Sequence, residues 1–572
     1  MAEHVGVFRA VYGVGEKSMR VEGQATFLTA PDRVIHAWVH GPTHGRVSGA
    51  VVIAPALARE EVVSHRSMRL VAARAAENGW VAIRLSWSGT TESGARPEAS
   101  DPVAIWEDDL ARGYSEARRI VGHDAPVHAI GLRIGAALLA ASKVPFGQRL
   151  LWEPVSGAVF LRQYGGLRRA SGLILPPVSE EGLEIGGAHY SDSEAASIRA
   201  LKDPQKIRTH QDQGIEVIRE ADRRVAKKLY GVASIYAKAS PEAIASLVGR
   251  LRDGPHHDYR AGDWQPQCTA RIHVAEFGVD VIEELLELGE DRLPASYTHP
   301  VDNHGIGRGA VTLAPPSAEP KDGPTGLWTI AARRLAARGV PALRVERHHC
   351  GDGAGLDEVK DVNPYTRQGI AVIDSGARWL HHRTGEEVTG VGLCVGGWLV
   401  AMAPQDSPMR RRVILNNVAW RPAESYYERL YRNWDVDAVL EQLRSMGDVA
   451  IATNFRTRLK DRIRRRMPYS LWLFLGRRSL PNVPEVVMEY SSRGAEVSYF
   501  FGPEDGLLFL QERGERGLRR LQRRGRHIMV THLATLDHAL QSHSSRSTAL
   551  QVVDASMGLT AGPVGEVQSC AA

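Results

Sequence analysis

The sequence predicts an α/β protein of two tandem domains, each a mostly parallel sheet flanked by helices, the second with a helical lid. Three observations carry this reading: an internal repeat, an alternation of strands with helices, and a glycine turn in each copy. Val51–Pro55 (VVIAP) matches Val311–Pro315 (VTLAP), and Leu70–Leu85 matches Ile330–Val345, both at an offset of 260 residues. Val127–Leu138 (VHAIGLRIGAAL) matches Val388–Leu399 (VTGVGLCVGGWL) at an offset of 261. Three matches in the same order point to duplication, and the period is too long for a solenoid unit.

The elements follow in order within each copy. VVIAP is a short apolar run and reads as a buried strand. Leu70 to Asn78 is an Ala/Leu-rich helix stopped by Gly79, and Val81 to Leu85 is the next strand. In the second copy, Tyr365 to His381 is amphipathic and ends near Gly385, and Val388 to Leu393 is again a strand. Such alternation predicts right-handed crossovers and a parallel sheet covered on both faces. Gly254-Pro255 and Ala261–Gln267 punctuate the chain. They place the boundaries at 1–262 for the first copy and 263–558 for the second, with a lid at about 417–490 and a flexible tail at 559–572.

Composition excludes several classes. The 572 residues are 43 % hydrophobic and 24 % charged, ordinary for a globular protein. A net charge of +5 is too small over this length to imply a nucleic-acid partner. The basic run Arg456–Arg466 reads as one solvated helix face. Cys268, Cys350, Cys394 and Cys570 show neither disulfide nor zinc spacing. The N-terminus does not read as a secretory signal, and no apolar run suffices for a membrane span. A cytoplasmic protein without cofactor or metal is expected. His348-His349-Cys350 with Asp352 is a weak metal candidate, because adjacent loop histidines rarely converge on one ion.

The glycine turns carry the chemistry. A nucleophile set between small residues, after a strand and before a helix, projects at the end of the sheet beside free backbone N–H groups. Those groups favour an anion, which suits a thiolate and an oxyanion. The second copy reads Gly392-Leu393-Cys394-Val395-Gly396-Gly397, with Cys394 at the nucleophile position. The first reads Gly131-Leu132-Arg133-Ile134-Gly135-Ala136. A guanidinium cannot act as a nucleophile. Arg133, at the positive end of a helix, is instead a candidate anion-binding residue.

The acid and base should follow in chain order. Glu496–Phe501 is a strand running into Gly502-Pro503-Glu504-Asp505-Gly506, and a second short strand from Ile528 precedes Asp537-His538. His538 is the candidate base and Asp505 the orienting acid, with Glu504 as the alternative and His532 and His543 as nearby competitors for the base. Val395 and Ser317 are the candidate oxyanion donors, Ala318 being the alternative to Ser317, since Pro315 and Pro316 lack an N–H. In the first copy, Asp222 and His256 or His257 stand as relics of an acid and a base. Between the strand ending at Asn416 and the one near Glu496 lie Trp420, Tyr426, Tyr427, Tyr431, Trp434, Tyr469, Trp472 and Phe474, a lid's aromatic residues.

Both copies resemble α/β-hydrolases of the serine-aminopeptidase-like kind, in particular those associated with exosortase and polysaccharide systems. The matching features are Arg84–Gly89, the GLRIGA turn and Leu150–Leu161 in copy one. In copy two they are GLCVGG, Ile414–Asn417 (ILNN), Phe501–Gly506 (FGPEDG) and Asp537–Arg546. The GLCVGG turn is also similar to that of dienelactone hydrolases, which use cysteine. The resemblance implies the fold and leaves the substrate open. The first copy departs from a working triad at Arg133.

Two functions are expected from these residues. One is an acyl-transfer enzyme with a Cys394–His538–Asp505 triad, acting on a small-molecule ester or thioester, free or carrier-bound, as a hydrolase, thioesterase or biosynthetic acyltransferase. The other is a non-catalytic pseudo-hydrolase that binds or scaffolds. Either way the two copies should contact each other.

Overall fold

The computed structural model describes residues 10–12, 21–42, 44–97, 100–171, 182–204, 214–238, 240–302, 307–353, 363–432 and 467–559. Two sheets dominate. The first has eight strands in the spatial order 10–12, 21–29, 34–42, 80–85, 49–54, 127–132, 149–152 and 215–218. The second has nine, in the order 269–274, 279–288, 293–300, 342–345, 310–314, 388–393, 409–415, 496–501 and 528–532. In each, antiparallel strands lead into a parallel run, Val34–Pro42 meeting Trp80–Leu85 and Leu293–Pro300 meeting Ala342–Val345. The sheets part company at one edge. Among the described residues the first ends at Ile215–Ile218, with no counterpart of Ile528–His532.

The central strands are apolar on both faces because both faces are covered. Val311, Leu313, Val391 and Leu393 pack on one side with Leu327, Ala331, Leu335 and Val552. Ala310, Ala314 and Val388 face the other side with Val372, Ile373 and Ala377. The helix anticipated from Leu70 begins earlier, at Arg59, and runs to Glu77. Its first turns escape an apolar pattern because they bury polar residues, Glu60, Glu61, Ser64, Ser67 and Arg69 among them. The helix expected from Tyr365 starts instead at Arg367, where the Thr366 hydroxyl accepts the N–H of Gly369 as an N-cap.

Several buried polar residues, Arg69 among them, meet the other copy, and such contacts come in pairs. Arg84 forms an ion pair with Asp352, and Arg344 forms one with Glu92 (3.1 Å). Arg69 donates to the carbonyl of Gly353 (2.8 Å), and Arg333 to that of Ser93 (2.7 Å). Arg84 and Arg344, Glu92 and Asp352, and Ser93 and Gly353 are each separated by the repeat offset of 260. Residue i thus contacts j while the copy of j contacts the copy of i, the signature of an isologous two-fold interface. The chain is a covalently joined pseudo-dimer.

His257 lies on the short strand His257–Arg260, which pairs with His44–Val47 at the periphery, and His256 Nδ1 is 3.4 Å from Ser48 Oγ. Neither takes the place of a catalytic base. Asp352 is committed to Arg84 and His65 across the interface, and no metal-binding cluster occurs among the described residues. No described helix is long and apolar enough to cross a membrane. Trp434, the run Arg456–Arg466 and most of the tail lie outside the described residues.

Candidate active site

Cys394 stands between the strand Val388–Leu393 and the helix Val395–Ala401, at φ 51° and ψ −111°. Side chains rarely adopt this region, so the surrounding turn must enforce it. The glycines show how. A Cβ on Gly396 would meet the carbonyl oxygen of Ala314 at 2.3 Å, and one on Gly392 would meet the backbone of Gly396 at 2.3 Å. The Cys394 N–H is anchored on Leu415 O (2.9 Å).

His538 and Asp505 converge on that turn. His538 Nδ1 lies 2.8 Å and 2.9 Å from the two oxygens of Asp505, a buried carboxylate, and the Cys394 sulfur is near enough to the same imidazole to act on its pKa. With Nδ1 taken by Asp505, Nε2 is left for the sulfur. Burial disfavours the imidazolium, but the bond to Asp505 and the nearby Cys394 sulfur outweigh it and push the His538 pKa up to about 11. Glu504 lines the cavity without contacting His538 in this way. Asn416 ties the two loops together. Its Nδ2 donates to Asp537 O (2.8 Å) and its Oδ1 accepts the Gly502 N–H (2.8 Å). Sequence reasoning missed Asn416, although it sits in the ILNN segment that marks the strand end.

The loop after the first parallel strand closes over the nucleophile. Ser317 has a left-handed backbone (φ 43°), and its carbonyl accepts from Arg347 Nη2 at 2.5 Å. Val395, as the first helical residue, has no intrahelical acceptor for its N–H. Ser317 and Val395 line the same cavity as Cys394, Asp505 and His538. Tyr365 was also missed. Burial first, then Cys394 and the neighbouring tyrosines, hold its pKa far above the usual phenol value. Tyr365 stacks on Tyr427 with ring centroids 4.1 Å apart. Tyr431 lies parallel beyond, at 6.3 Å from Tyr365. Of the lid aromatics, Tyr431 reaches the cavity, whereas Trp420 packs in the core against Tyr499, Phe501 and Phe509.

The turn of the first copy keeps its shape without its chemistry. Arg133 has φ 56° and ψ −119°, and a Cβ on Gly135 would meet Pro55 O at 2.1 Å. The expectation that Arg133 binds an anionic ligand needs correction. Its Nη2 lies 2.9 Å from Glu60 Oε1, its Nε donates to the same carboxylate, and its guanidinium lies over the Tyr230 ring at 4.0 Å. The charge is neutralised from within.

Both copies are mostly parallel sheets flanked by helices, each with a strand–turn–helix at its centre. No family model and no curated protein matches the chain. Among solved structures it is similar to a dienelactone hydrolase from Anabaena variabilis, with 14 % identity over 51 % of this chain and 96 % of that one, at a TM-score of 0.30. It is also similar to esterase Est22, with 14 % identity over 51 % and 80 % and a TM-score of 0.30. XC6422 from Xanthomonas campestris, described as an α/β serine hydrolase without lid, shares 12 % identity over 49 % and 96 %, at 0.27.

Proposed function

We propose that the second copy is an acyl-transfer enzyme of the hydrolase class, with Cys394 as nucleophile, His538 as proton carrier and Asp505 as the acid that orients it. The single observation that carries this reading is the Asp505–His538 hydrogen bond (2.8 Å) beside Cys394 on a strained strand–helix turn. Cys394 passes its thiol proton to His538 Nε2, and the sulfur attacks the carbonyl carbon of an ester or thioester. The resulting oxyanion is held by the N–H groups of Val395 and Ser317. The tetrahedral species then expels the alcohol or thiol, which takes the proton from His538 Nε2. Water, an alcohol or an amine attacks the acyl-enzyme, returns a proton to Nε2 and releases Cys394. A thioester donor suits this nucleophile, since sulfur is exchanged for sulfur in the first step.

The test is intact-mass analysis after incubation with a panel of acyl thioesters and p-nitrophenyl esters. A stoichiometric acyl adduct mapping to Cys394, and formed much more slowly in His538→Ala, is the expected result. Acylation elsewhere, or none with any donor while iodoacetamide labels Cys394 equally fast in both proteins, would remove the triad.

A further inference from the structure

The cavity in front of Cys394 is not made by the second copy alone. It has a volume of about 770 Å³, and Val62, Val63, Tyr164, Ile235 and Tyr236 of the first copy line it. This follows from a change of course in the first copy. Where the second copy continues from its acid-bearing helix to the strand Ile528–His532 and the His538 loop, the described residues of the first form no such strand. Its helix Arg223–Tyr230 is followed by a short turn at Ser234–Tyr236 that reaches across the pseudo-dimer. There Ser234 Oγ donates to Ser317 Oγ (3.1 Å), with Glu319 Oε1 at 3.3 Å, both on the loop that overhangs Cys394.

The lid side of Cys394 is already occupied by the buried Tyr365 and Tyr427, whereas the first-copy side is open and largely apolar. Val62 and Val63 stand on the first turns of the helix Arg59–Glu77, and the Tyr164 ring is buried behind them. Such an apolar wall, in a cavity large enough for more than an acetyl group, suits an extended hydrocarbon or aromatic group, whose burial is favourable.

We propose that the first copy is a working half of the active site, in which Val62, Val63, Ile235 and Tyr236 form the lobe that receives a long apolar acyl group of the substrate. The proposal rests on the acyl-transfer reading of Cys394 and adds the substrate class. Ile235 is half-buried at the cavity wall, so changing its size probes the lobe without opening the core.

The experiment compares p-nitrophenyl acetate with p-nitrophenyl octanoate as acylating agents of Cys394, in the full chain and in Ile235→Trp and Ile235→Ala. Ile235→Trp should slow octanoylation at least tenfold and leave acetylation within twofold, and Ile235→Ala should shift the preference toward longer chains. Equal slowing of both esters by Ile235→Trp, or no change in either, overturns the proposal. A second measurement separates the lobe from the chemistry. Binding of the apolar fluorophore N-phenyl-1-naphthylamine to Cys394→Ala should weaken at least tenfold when Ile235→Trp is added, and unchanged binding overturns the lobe. If no ester acylates Cys394 in the unmodified chain, the triad reading fails, and the fluorophore still decides the lobe.

Discussion

The two glycine turns of this chain share a backbone and differ in one side chain. Cys394 and Arg133 sit within a few degrees of each other in φ and ψ, each pinned by a glycine pressed against the preceding strand. Around Cys394 the strained turn presents sulfur to a histidine. Around Arg133 the same strain presents a guanidinium to Glu60, and the pocket is filled by an ion pair. The partners diverged with it. Asn416, which braces the acid and base loops, is matched in the first copy by Glu153, whose Oε1 accepts the Glu220 N–H (2.7 Å) as Asn416 Oδ1 accepts that of Gly502. Three residues further on, Arg223 stands where Asp505 stands, and it pairs with Glu153 at 3.2 Å. The backbone of the turn is therefore shared while its side chains differ, and in the first copy the matching positions are filled by opposite charges.

The largest expected effect breaks this comparison at the sulfur. Cys394→Ala should lower acyl turnover by roughly 10⁴-fold or more, because a nucleophile and its base act as one unit. A loss of less than tenfold, measured as steady-state turnover of a p-nitrophenyl ester, would place the reaction elsewhere. The next effect is on stability and belongs to the first copy. Arg133→Met leaves Glu60 buried without its partner and should cost about 3 kcal/mol in urea unfolding. The double change Glu60→Gln with Arg133→Met should recover most of that, since no lone charge remains. If Arg133→Met alone were neutral, the ion pair would not be what fills the dead turn.

Much of this was legible in the residues. The repeat, the parallel cores, the elbow and the pair His538 and Asp505 follow from apolar strands, a glycine spacing and a carboxylate on a turn, all local patterns. The helix Arg59–Glu77 was truncated in the reading because its first turns carry Glu60, Glu61 and Arg69, which look like surface and are buried. Arg69 is buried against Gly353 of the second copy and Glu60 against Arg133 of its own, and no local pattern encodes either contact. The fate of Arg133 was hidden for the same reason, since its partner Glu60 lies 73 residues away. The shared cavity was out of reach because Ser234 and Tyr236 belong to a segment with no strong pattern of its own. Yet the interface left a trace in the sequence, because Arg84 and Arg344 recur at the repeat offset, as do the acids Glu92 and Asp352.

The smallest expected effect is a pH slope that one copy has and the other lacks. His538 is held protonated in the fold up to about pH 11, against an unfolded value near 6.5. A raised pKa stabilises the folded state fully below the unfolded value, and that contribution is lost as pH rises toward 11. Asp505→Asn removes the hydrogen-bonded carboxylate that contributes to the rise. The stability gap between the unmodified chain and Asp505→Asn should therefore be widest near pH 6 and narrow steadily to pH 10. With 40 % of the His538 side chain exposed, solvent screening keeps the gap to about 1 kcal/mol. In the first copy Arg223 stands at the place of Asp505 and pairs with Glu153, the counterpart of Asn416, and not with a histidine. Glu153→Gln, which removes no partner of a histidine, should thus show no slope of this kind across that range. Urea unfolding of both variants at four pH values checks the contrast. A gap for Asp505→Asn that widened with pH would mean His538 is held neutral, and the proton it is assigned to carry would have to come from another group.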